Sequence, residues 1–157
     1  MVVETAGKLL GQNGIAEDIR QEALYCRAKA YLEEQQYGLA VVDFTPLAKE
    51  VRTAMGAEAK YQLAYCYFLL GSMDMAEQEV MSFTKMQTTQ QYWLAKSMIL
   101  LADINVQRND TFQAKQYLLA LKANYRQKDD IQDIIMQKLT QLEEQGATSS
   151  TNEEVQL

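Results

Sequence analysis

Two sets of alanines recur with one spacing. Ala28, Ala64 and Ala102 stand 36 and then 38 residues apart, and so do Ala40, Ala76 and Ala114. Self-similarity at a period of a few tens of residues confines a chain to architectures in which one supersecondary unit is built and then built again. Other positions fall into the same register. Leu24, Ala28, Tyr31, Tyr37, Ala40, Phe44 and Leu47 stand in order in the first copy. Leu63, Ala64, Tyr67, Gly71, Met73, Ala76, Val80 and Phe83 do so in the second, and Met98, Leu101, Ala102, Thr111, Ala114, Leu118 and Leu121 in the third. Alanine at the fixed points lets two helices approach closely.

The unit is helical. One proline and seven glycines leave few breaks in 157 residues, and apolar residues recur with helical spacing. The pattern predicts seven main helices and no sheet: 19–35, 37–52, 57–70, 74–87, 91–107, 111–125 and 130–145. Helix 57–70 is apolar nearly all round, as a helix touched on both sides should be. Asp74 and Asp110 are placed to accept hydrogen bonds where helices start. Asp129, Asp130 and Asp133 put negative charge at the start of the last one; they lack the alternating oxygens and the glycine of a calcium loop. Pro46 is expected to kink the second helix, because Leu47 and Val51 continue its apolar face. Val2, Val3, Ala6, Leu9 and Leu10 also have helical spacing, and Gly11-Gln12-Asn13-Gly14 breaks the chain after them. Residues 1–14 therefore read as the end of a truncated preceding unit with its loop, residues 15–145 as the repeat domain, and residues 146–157 as a disordered acidic tail.

This register resembles the tetratricopeptide repeat, a helix-turn-helix unit of about 34 residues. Residues 57–88 match best, with Leu63-Ala64, Tyr67, Gly71, Met73, Ala76 and Val80. They depart from the pattern at Lys60 for the first aromatic, Phe83 for the later alanine and Thr88 for the terminal proline. The third unit has Asn105 for tyrosine and Asn109 for glycine. The resemblance covers residues 20–128 and implies an all-α, right-handed α-solenoid of about three helix hairpins plus a C-terminal capping helix. In texture, at residues 57–64 and 91–96, the chain also resembles the C-terminal part of large bacterial proteins of this repeat family, many of them envelope-associated. That likeness implies the periplasm or cell envelope, with the cytoplasm as the alternative.

Several classes of function are disfavoured by composition. There is no histidine, hence no imidazole for a metal or for general-base chemistry. Cys26 and Cys66 form no ligand motif and are expected to be two buried, unpaired thiols. Glu33-Glu34 and Glu77/Glu79 are carboxylate pairs on polar faces, and neither Ser72 nor Ser82 has a basic partner, so no enzyme and no cofactor are expected. The net charge of −6 resides in residues 129–157, with seven acids and one base; residues 1–128 hold fourteen of each sign. No basic stripe suggests nucleic acid, and no apolar run reaches the roughly 18 residues of a membrane span. Asn109-Asp110-Thr111 fits the glycosylation triplet, a pattern too short to assign anything.

In the repeat family the first helix of each unit lines a concave groove. Carried over by register, the exposed positions fall on Glu22, Tyr25, Lys29 and Leu32, then Glu58, Tyr61, Tyr65 and Phe68, then Lys96, Ile99, Asp103 and Val106. Of these, Tyr25, Lys29, Tyr61, Tyr65, Phe68, Ile99 and Asp103 are the expected partner-binding residues. Tyrosines where a carboxylate-gripping subfamily has Lys and Asn suit an extended peptide or a helix; equally, tyrosines fill a tightly wound stack, and Trp93 is expected to pack between repeats. The implied function is a non-catalytic protein–protein interaction module or scaffold. The alternative is a terminal structural segment that caps the array or forms a homodimer through its ends.

Overall fold

In the computed structural model, which describes residues 1–154, eight α-helices follow one another and no strand occurs among the described residues: α1 (Val2–Leu10), α2 (Glu17–Glu33), α3 (Tyr37–Leu47), α4 (Ala54–Leu69), α5 (Met73–Lys85), α6 (Gln91–Gln107), α7 (Thr111–Asn124) and α8 (Ile131–Glu154). The chain divides into two compact units, one of residues 1–97 and one from Met98 on.

The expected repeat is present in the hydrogen bonds as well as in the letters. After α2 the Gln36 N–H donates to Tyr31 O (2.8 Å), after α4 the Ser72 N–H donates to Tyr67 O (2.9 Å), and after α6 the Asp110 N–H donates to Asn105 O (2.9 Å). One residue earlier each chain passes through the left-handed region, at Gln35 (φ 60°), Gly71 (φ 78°) and Asn109 (φ 61°). This is the Schellman ending, which satisfies helix-end carbonyls and turns the chain back. The three left-handed residues are 36 and 38 apart, the period of the alanines. All six repeat alanines are at most 1% exposed.

In the first unit, α2, α3 and α4 share a core of Ala28, Ala40, Phe44, Leu47, Ala59, Leu63 and Cys66, against which Tyr31 and Tyr67 pack. A second cluster joins Val51, Ala57 and Phe83 to Trp93 and Leu94. In the second unit Leu101, Ile104, Leu118, Ile131 and Ile135 are fully buried. Two ion pairs fix α8 there: Lys138 to Asp103 of α6 (2.7 Å) and Glu143 to Lys115 of α7 (3.8 Å).

Five local expectations need correction. Pro46 does not kink a helix that runs on to residue 52; α3 ends at Leu47. Proline has no N–H to give the carbonyl of Val42, and the Glu50 N–H folds back to Leu47 O (3.4 Å). Val51 is buried from a loop, where its carbonyl accepts the Thr88 hydroxyl at 2.6 Å. Helix α4 then starts at Ala54, three residues early, because the Thr53 hydroxyl accepts the Gly56 N–H (3.0 Å) and caps it. Of the two aspartates expected to cap helices, Asp110 accepts the Gln113 N–H (3.0 Å), whereas Asp74 lies inside α5, whose cap position is Ser72. The acidic tail is not without structure over its described part. Helix α8 continues to Glu154, with the Thr148 and Ser149 hydroxyls donating one turn back to Glu144 O and Gln145 O; residues 155–157 lie outside the described residues. Cys66 is buried as expected, but Cys26 is exposed; both are free.

Candidate functional site: an aromatic row on helix α4

Helix α4 buries Ala57, Ala59, Lys60, Leu63, Ala64 and Cys66. Lys60 is tolerated inside because its ammonium donates to Glu79 (2.6 Å) and Ser82 (3.2 Å). What remains half-buried on the helix includes Glu58, Tyr61, Tyr65 and Phe68. These are three or four residues apart, so they lie in one stripe.

The rings in that stripe stack. Tyr61 and Tyr65 are nearly parallel, with centroids 6.0 Å apart and planes 6° apart. Tyr65 and Phe68 follow at 6.4 Å and 14°. Trp93, from α6, extends the row at the other end, 5.7 Å from Tyr61, and meets Tyr92 edge-on at 5.0 Å. Offset aromatic pairs contribute about 0.5–1.5 kcal/mol each beyond their burial, so the row is held in place before anything binds.

Two cations border the row. The Lys96 ammonium sits 5.4 Å over the Tyr61 ring. On α2, Lys29 lies 5.1 Å over Tyr25, and both donate to Glu58, the Tyr25 hydroxyl at 2.6 Å and the Lys29 ammonium at 3.1 Å. Burial, followed by that bond to Glu58, raises the Tyr25 pKa. The bond to Glu58 holds the Lys29 proton and raises its pKa as well. One carboxylate thus serves two donors and neutralises Lys29, leaving Lys96 as the cation beside the ring faces of the row. Such a surface accepts apolar side chains on the rings and carboxylates or carbonyls at the edge.

Of the expected contact residues, Tyr25, Lys29, Tyr61, Tyr65 and Phe68 lie in the first unit, on α2 and α4. Leu32, another position carried over by register, is half-buried and packs against the α2–α4 core, as Tyr25 does. Ile99 and Asp103 belong to the second unit, where Ile99 is 4% exposed and offers no surface, and Asp103 is held by Lys138. Trp93 packs against the Phe83 cluster, as expected, and also ends the stacked row. Its part in the row was missed although it precedes Lys96 by one turn of the same helix. Among the described residues no group of three or more metal-ligating side chains is assembled, and no helix is long and apolar enough to cross a membrane.

No protein-family model, curated protein or solved structure matches this chain.

Proposed function

We propose that this chain is a non-catalytic protein–protein interaction module of the tetratricopeptide type, an α-solenoid of helix hairpins that binds a peptide or a helix of a partner. The binding face is the row Tyr61, Tyr65 and Phe68 with Tyr25, Lys29 and Lys96 beside it. The observation that carries this reading is the stack itself. Aromatic rings at helical spacing that are aligned, half-buried and bordered by the Lys96 ammonium present large contact area at low entropy cost. An interior row would be covered, as Phe44 and Phe83 are.

The double variant Tyr61→Ala/Tyr65→Ala separates contact from core. Protein immobilised from the wild-type chain should retain a partner that the double variant loses, while the melting temperature drops only modestly. Truncating a buried aromatic costs about 3–5 kcal/mol, a large part of a domain's ~5–15 kcal/mol. A sharp loss of melting temperature in each single variant would make the tyrosines core and remove this reading.

A further inference from the structure

Whatever lies on the aromatic row must match its polar atoms as well as its rings. Those atoms are mostly donors. The Tyr65 hydroxyl and the Trp93 indole N–H, in the rings on either side of Tyr61, have no acceptor among the described residues, and Lys96, over Tyr61, has no carboxylate among them. The carboxylate on the same stripe of α4, Glu58, is already taken by the Tyr25 hydroxyl and the Lys29 ammonium. A covering chain strips water from these donors, and a donor left unmade under it weakens binding.

Three kinds of chain answer that demand differently. A helix keeps its carbonyls in its own hydrogen bonds and brings the row few acceptors. A strand brings carbonyls together with as many N–H groups, which would find few acceptors here because Glu58 is occupied. A proline-rich chain in the polyproline II form makes no internal hydrogen bond, so every carbonyl is free. It has no N–H at each proline, and its rings pack on aromatic faces. Its length also fits. The rings are spaced at 5.7, 6.0 and 6.4 Å, and two turns of polyproline II, roughly six residues at ~3.1 Å each, run the length of the row.

We propose that the aromatic row binds a proline-rich segment of a partner protein, about six residues long, in the polyproline II form. Its carbonyls accept from the Tyr65 hydroxyl and the Trp93 indole N–H, and an acidic residue at one end pairs with Lys96. This rests on the reading of the row as a contact surface and names what that surface selects.

The probe is a labelled, end-capped hexaproline peptide flanked by aspartates, titrated into the intact chain and followed by anisotropy. Two further peptides serve as comparisons: hexaproline flanked by lysines, and an aspartate-bearing helical peptide of about 15 residues. The expected result is saturable binding of the aspartate-flanked proline peptide that Tyr61→Ala/Tyr65→Ala abolishes. Tyr65→Phe keeps the ring and removes the donor, and should weaken binding about threefold or more. Lys96→Gln should weaken it about tenfold, and Lys96→Glu should turn the preference to the lysine-flanked peptide. Circular dichroism checks the fold of each variant. No saturable binding of the proline peptide overturns the proposal, as does binding that the double variant retains. Binding indifferent to both Tyr65→Phe and Lys96→Gln also overturns it, since the rings would then take any apolar chain. If the helical peptide binds instead and the double variant loses it, the proline assignment fails while the row stands as a contact surface. Failure of that underlying reading shows separately, as a sharp loss of melting temperature in Tyr61→Ala and Tyr65→Ala alone.

Discussion

The guanidinium of Arg27 grips the carboxylate of Asp43 through two hydrogen bonds, Nε to Oδ2 at 2.7 Å and Nη2 to Oδ1 at 2.8 Å. Arg27 stands where the other two hairpins have Leu63 and Leu101, and the Asp43 side chain is only 3% exposed. The second hairpin keeps an acid at the matching position, Glu79, but answers it from Lys60, one turn earlier on its own first helix. An ion pair thus joins the two helices of each of these hairpins.

Removing the cation alone strands a buried carboxylate, which costs about 3–5 kcal/mol. Arg27→Leu should lose stability on that scale in urea titration. Arg27→Leu/Asp43→Leu should regain most of it, since a well-packed apolar pair is often as stable as a buried ionic one. A single variant costing less than about 1 kcal/mol would mean that the pair behaves like a surface bridge.

Gly56 is in the first turn of α4, beneath the loop that leaves α3. A Cβ there would run into the Glu50 carbonyl, its oxygen closest and its carbon at 2.7 Å. Both are backbone and cannot rotate away. Gly56→Ala should destabilise by at least the ~1–3 kcal/mol typical of overpacking, whereas Gly38→Ala, in open space on α3, should be neutral or slightly stabilising. Equal melting temperatures for the two variants would contradict the close approach.

The left-handed turns make opposite predictions at equivalent positions. Gly71→Ala meets no atom within 4 Å, so its cost is backbone strain alone, about 1–2 kcal/mol. Gln35 already carries that strain at φ 60°. Gln35→Gly should therefore raise stability by about 0.5–1 kcal/mol. Thermal unfolding of the two variants checks the sign of each.

Tyr25 and Lys29 hold their protons longer in the folded chain than their ordinary values of 10.0 and 10.5 allow. The stability they contribute is complete below those values and is lost as pH rises through the raised ones. Stability should then fall more steeply above about pH 10 in the wild type than in Glu58→Gln, which lacks the shared carboxylate. Ultraviolet titration should show a late-ionising tyrosine that moves to lower pH in the variant. Superimposable alkaline curves would show that Glu58 does not couple the two groups.

The hairpin frame was legible because it depends on local chemistry: small residues at one period, and turn residues at the same period. Pro46 was misread because helix interruption and helix ending differ only in where the next carbonyls find donors, and the Glu50 turn and the Thr53 cap supply those. Cys26 and Ile99 were misread for the converse reason. A helical apolar pattern gives the faces of a helix but not which of them a neighbour covers. Cys26 lies on a face left open by α1, whereas Ile99 lies on one that is closed. Tyr61, Tyr65 and Phe68 were legible as a stripe on α4. The reach of Trp93 into it was not, since it meets Tyr61 from a helix that places it 32 residues further on and depends on tertiary packing.

The three turns share one backbone trace yet place glutamine, glycine and asparagine at its left-handed point. What recurs is thus a geometry with few compulsory letters: a residue able to turn left, and a small one on each helix where the helices meet. Everything between is free to differ. A chain written by such rules can change the chemistry on each hairpin without altering its frame, and can drift far in spelling while keeping its grammar.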